Sequence, residues 1–117
     1  MIPDANEIVW DATTLTRMVG DNPAMHRRLL DKFLLGSEEQ HVAIVGAIAA
    51  GDLASAASVA HKMKSAARTI GAMRLGRLCQ DLEIAGRTGD VSAAGVHAAG
   101  LKAALQEVAV LIKNSYI

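Results

Sequence analysis

The sequence is poor in the residues that interrupt helices or staple small folds. Only three of its 117 residues are aromatic, one each of Trp, Tyr and Phe, so ring packing cannot dominate its core. Only two prolines occur, Pro3 and Pro23, and nothing beyond Pro23 carries the strongest helix breaker. The single Cys79 excludes an intramolecular disulfide and a cysteine-based zinc site, and is compatible with a reducing compartment. Neither charge sign is in excess: 12 basic and 12 acidic residues leave a net charge of zero, which speaks against a general nucleic-acid binder. The opening stretch MIPDANEIVW has no basic region followed by an apolar one, so no secretory signal is expected. No apolar run is expected to approach the ~20 residues of a membrane span.

What remains is an apolar set of Ala, Leu, Val, Ile and Met, with Ala and Leu strong helix formers. Gly20, Gly51, Gly71 and the Thr88-Gly89-Asp90 turn divide the chain into helical segments. The expected helices are a short one at about 11–20 capped by Asp11, then about 23–50, 52–69, 72–87 and 91–114. Asn22 and Pro23 form the second start, and Asp52 caps the third helix. Gly95 and Gly100 weaken the last helix by up to about 1 kcal/mol each relative to Ala. Short connections favour antiparallel neighbours. The predicted fold is therefore all-α, an antiparallel up-down four-helix bundle with a short N-terminal capping helix. A single domain over residues 1–117, with its helical core at about 11–114, accounts for the length.

The third helix carries the chemistry. Leu53, Ala56, Ala60, Met63, Ala67 and Ile70 recur at alternating spacings of three and four, forming a core-facing seam. One position on, His61, Lys64, Ser65 and Arg68 form a second stripe at the edge of the core. The two cations disfavour an imidazolium beside them, and a neutral ring nitrogen is a nucleophile near neutral pH. A doubly negative phosphoryl group on His61 could pair with Lys64 and Arg68 through charge-assisted hydrogen bonds. The competing interpretation of such a stripe is a solvated helix surface, on which His and Lys often meet by chance.

The run Ala60-His61-Lys62-Met63-Lys64-Ser65-Ala66-Ala67, followed by Ile70-Gly71-Ala72, Leu75, Cys79, Leu82 and Glu83, resembles the signature of the histidine-containing phosphotransfer (HPt) family. That signature reads A-H-x-L-K-G, then G-A-x-x-L-x-x-x-C-x-x-L-E. Flanking residues Asp11, Leu15, Val19-Gly20-Asp21, Leu30, Phe33 and Gly51-Asp52 extend the resemblance over roughly residues 10 to 112. It implies a phosphorelay intermediate with no autonomous kinase activity. His61 would accept a phosphoryl group, usually on Nε2, from an aspartate of one receiver domain and pass it to an aspartate of another. The implied partners are receiver domains of a hybrid histidine kinase or of response regulators, in the cytoplasm. The chain would be free there or form the cytoplasmic tail of a membrane-bound hybrid kinase, with no nucleic acid and no direct membrane contact. No cofactor is implied on this chain, because the receiver supplies the divalent metal. Lys64 would neutralise the phosphoryl oxygens, and Glu83 would hydrogen-bond the other ring nitrogen. Ser65 departs from the usual glycine, and Arg68 from a usually small residue. These two changes bear on partner choice and leave the nucleophile intact. Receivers are expected to dock on an apolar patch around His61, from the second and third helices and the short first helix around Leu15 and Met18.

Other chemistries find less support. A di-iron bundle needs two Glu-x-x-His motifs, and only Glu38–His41 supplies one. No nucleophile elbow and no glycine-rich phosphate loop occurs. Cys79 shares an apolar stripe with Leu75, Leu78 and Leu82 and reads as core. The alternative function is a non-catalytic helical adaptor or dimerisation bundle of HPt-like shape, against which His61 and Lys64 argue. A histidine-kinase dimerisation helix would place its histidine in a His-Glu/Asp-x-x-x-Pro setting, which His61 lacks.

Overall fold

The computed structural model describes residues 7–115. Five helices and no strand occur among them: α1 Thr13–Val19, α2 Pro23–Ala49, α3 Leu53–Ile70, α4 Met73–Thr88 and α5 Val91–Ser115. The parts of the expected 1–117 domain at residues 1–6 and 116–117 lie outside the described residues.

The helix starts follow from side chains that take up free backbone N–H groups. Asn22 accepts from Met25 N and is followed by Pro23 at the first helical position. Asp52 accepts from both the amide and the hydroxyl of Ser55. Asp11 stands one residue ahead of the cap expected for it. Helix α1 begins at Thr13 after Ala12, while the Asp11 carboxylate accepts from the Thr13 amide and hydroxyl. That bonding, and Arg17 nearby, hold the Asp11 carboxyl below its usual range.

Helices α2 to α5 each pack against the next, and α5 returns to α2; α1 rests on α3. The most extensive contact joins α3 to α4, and small residues make it possible. Ala56, Ala57 and Ala60 are buried on α3, and Gly86 faces them from α4. A Cβ at Gly86 would lie 2.8 Å from the Leu53 carbonyl oxygen and 2.9 Å from Ala57 Cβ, so only glycine permits this approach. Gly71 has φ +91° and turns the chain between the two helices. A Cβ there would also strike the Asp11 carbonyl oxygen at 2.2 Å. The lead-in is pinned to that turn: Asp11 N donates to the Gly71 carbonyl at 2.8 Å and Trp10 Nε1 to the Ile70 carbonyl at 3.0 Å.

The predicted seam of α3 is buried except at its first member, half-buried Leu53. Of the apolar residues of α1, only Leu15 reaches the core; Met18 and Val19 are exposed, because a helix this short presents a single inward turn. Helix α5 corrects the expectation that no apolar run approaches a membrane span: by length and composition it could cross one. Its stripe of Ala94, Ala98, Leu101, Leu105, Val108 and Ile112 is packed into the core, and alanines and valines on its other faces raise its hydropathy. Gly95 and Gly100 do not interrupt it.

Candidate functional site

The close approach of α3 and α4 brings the His61 stripe beside the last two turns of α4. Glu83 is buried there, with its side chain 7% exposed, an unusual place for a carboxylate without partners. It has three. Lys64 Nζ donates to Oε1 at 2.7 Å, His61 Nδ1 lies 3.1 Å from Oε2 and 3.3 Å from Oε1, and Arg87 Nη2 lies 2.5 Å from Oε2. The Lys64 hydrogen bond is the chief cause that holds the Glu83 carboxyl below the usual carboxylate range; burial opposes it, and Arg87 and His61 add to it.

An ionised carboxylate can only accept. His61 Nδ1 must therefore carry a proton and donate, which in a neutral ring leaves the lone pair on Nε2. The ring is 54% exposed, so that nitrogen is open to a partner. The arrangement is an exposed imidazole whose Nδ1–H is held by a buried anion, the anion in turn held by two cations.

Of the five residues singled out from sequence, three meet directly: His61, Lys64 and Glu83. Ser65 turns its hydroxyl back onto the His61 carbonyl at 3.3 Å and stays small beside the ring. Arg68 does not join the cluster. Its stem lies over Gly76, where a Cβ would come within 3.3 Å of Arg68 Cγ, and its guanidinium donates to Gln80 Oε1 at 2.8 Å. Lys64 and Arg68, which the stripe sets beside His61, each find an acceptor on α4, Glu83 and Gln80 respectively, and the side chain bonded to the ring is Glu83. Sequence reasoning missed Arg87 and Gln80. Arg87 stands four residues after Glu83, the ordinary spacing of a helical ion pair, and was findable once Glu83 had been chosen. Cys79 is buried, which pushes its thiol up to about 12 and keeps it an unreactive core group.

An apolar cleft of about 280 Å³ opens between α1, α2 and α3, lined by Leu15, Leu29, Phe33, Ala66, Thr69 and Ile70. Met18 does not line it.

The sequence pattern of the Hpt domain family matches residues 28–110, more than two thirds of the chain. This chain belongs to the Hpt domain family. Its structure is similar to the crystal structure of histidine-containing phosphotransfer protein B (HptB) from Pseudomonas aeruginosa PAO1, with a TM-score of 0.86 and 27% sequence identity over 96% of both chains. No curated protein sequence matches it. As an Hpt domain it acts in histidine phosphotransfer within two-component phosphorelays, whose other members are receiver domains of kinases and response regulators.

Proposed function

We propose that this Hpt domain carries the phosphoryl group on His61 Nε2. The observation that carries the reading is the bond from His61 Nδ1 to buried, ionised Glu83, which leaves Nε2 as the free and exposed nucleophile. The reaction runs from a receiver aspartyl phosphate: the acyl P–O bond breaks, the N–P bond forms at Nε2, and the receiver regains its carboxylate. The ring takes on positive charge with its Nδ1 proton retained, and Glu83 stabilises that charge. Passing the group to a second receiver reverses these steps.

Lys64, one turn beyond His61, neutralises the phosphoryl oxygens, and Glu83 fixes the tautomer. Ser65 keeps the approach to the ring open. Arg68, held by Gln80 at the rim, selects among receivers by favouring an acidic or open edge. The domain needs no cofactor of its own, with the divalent metal held by the receiver. The cleft lined by Leu15, Phe33 and Ile70 takes part in receiver docking, and zero net charge leaves specificity to shape and local contacts. Short connections support an antiparallel up-down arrangement of α2 to α5 with α1 as a cap. Membership of the Hpt domain family supports work in the cytoplasm as a single domain.

The test is incubation with a phosphorylated receiver and mapping of the acid-labile phosphate. Label at His61 is expected; label elsewhere, or none with any receiver of the source genome, refutes the assignment.

A further inference from the structure

Glu83 has more cationic partners than its one charge requires, and they differ in setting. Lys64 is only 15% exposed and has no other partner among the described residues. Arg87 reaches the carboxylate from the solvent side, with its side chain 65% exposed. His61 Nδ1 occupies the remaining acceptor positions.

This inference rests on the reading of His61 as the phosphoacceptor. A phosphoryl group on Nε2 lies at the edge of the ring opposite Nδ1, and therefore away from Glu83. The Lys64 ammonium, bonded to Glu83 Oε1 in the unphosphorylated protein, has donors to spare but a single charge, which does not balance both the carboxylate and the new dianion. When it turns toward the phosphoryl group, Glu83 loses its shortest bond to a buried donor. A buried carboxylate stripped of its cation is costly, and its cheapest response is to take up a proton. Protonation would weaken its hold on Nδ1–H when the ring most needs a counter-charge. We propose that Arg87 is a positioning residue that takes over Glu83 while Lys64 transfers to the phosphoryl group. Two cations on one carboxylate form a reserve: one is handed to the phosphoryl oxygens and the other remains. The ring proton stays in place throughout, and only the partner of Lys64 changes.

The consequence is coupling between Arg87 and Lys64. Arg87→Ala should slow phosphoryl uptake from a phosphorylated receiver by about tenfold, the size of one charge-assisted hydrogen bond. In a Lys64→Ala background, where Arg87 is the only cation left on Glu83, the same substitution should slow uptake at least as much as in the wild type, by about tenfold or more. Arg87→Lys, which keeps the charge, should recover most of the rate. In ¹⁵N-labelled protein the His61 Nδ1–H tautomer should persist in unphosphorylated Arg87→Ala and weaken after phosphorylation. Circular dichroism is the check that the variants are folded. A wild-type rate in Arg87→Ala, a change of less than about twofold when Arg87→Ala is added to Lys64→Ala, or no recovery with Arg87→Lys each overturns the hand-over. If the wild type itself takes no label on His61, the phosphoacceptor reading fails and this inference with it. Label on His61 together with an indifferent Arg87 fails the hand-over alone.

Discussion

Two histidines of this bundle, His61 and His41, each bond across a helix–helix groove, and the acceptors they meet there differ. His41 on α2 uses Nε2 to donate to the Ala98 carbonyl of α5 at 3.0 Å. Around it lie Val42, Val45, Gly95 and Ala99, and no carboxylate bonds its ring among the described residues. His61 on α3 donates instead to a buried anion that two further cations hold. A neutral carbonyl fixes a ring as a staple between helices. A carboxylate fixes the tautomer and also stabilises positive charge that develops on the ring. The difference lies in the acceptor across the groove.

The largest effect should come from exchanging the histidines' fates. His61→Gln is expected to abolish phosphate uptake while leaving helical content intact, whereas His41→Gln should keep uptake and lose at most about 1 kcal/mol of stability for one neutral hydrogen bond. Uptake assays and denaturant melts on both proteins check this, and loss of transfer in His41→Gln would break the contrast. Lys64→Ala comes next: transfer should slow by about 10- to 100-fold, corresponding to about 1.5–3 kcal/mol for a lost charged hydrogen bond. An unchanged rate and phosphohistidine lifetime would remove Lys64 from the site.

A third effect is on pH dependence. The folded state lowers the Glu83 pKa from the ordinary value of 4.5. The unfolded chain therefore binds this proton first as pH falls. The stabilisation from ionised Glu83 is full above 4.5 and is lost as pH falls through the depressed folded value. The stability gap between wild type and Glu83→Gln should accordingly be wide at neutral pH and close below that value, as followed by melts across the acid range. A gap that does not vary with pH would show that the Glu83 charge contributes nothing. The smallest effect is expected at Arg68. Arg68→Ala should change transfer to the true partner by less than about tenfold, or 1.4 kcal/mol, and widen the set of receivers that exchange phosphate in a competition assay. Equal loss with every receiver would make Arg68 a phosphate ligand. No change would make it a solvated surface residue.

Much of this was legible in the residues themselves. Asn22-Pro23, Asp52, Gly71 and Gly89 set element boundaries to within a residue or two, because capping and left-handed turns depend on local chemistry. The alternating seam of α3 placed His61 at the edge of the core, since helical periodicity is fixed by the backbone. Sequence spacing also put Lys64, Ser65 and Arg68 on one face with it. It could not say where those long side chains end. A lysine or arginine reaches several ångströms from its Cα, and its partner is whichever acceptor the neighbouring helix presents. Gly86 and Ala57 set how closely α4 lies, and that packing puts Glu83 against His61 and Lys64, Arg87 behind Glu83, and Gln80 under Arg68. The sequence by itself determined the helices, their inward faces and the candidate nucleophile, all of which depend on residues a turn apart. Only the tertiary structure decided which ring nitrogen is free, because that depends on a carboxylate 22 residues away, brought within 3.1 Å by the packing of two helices.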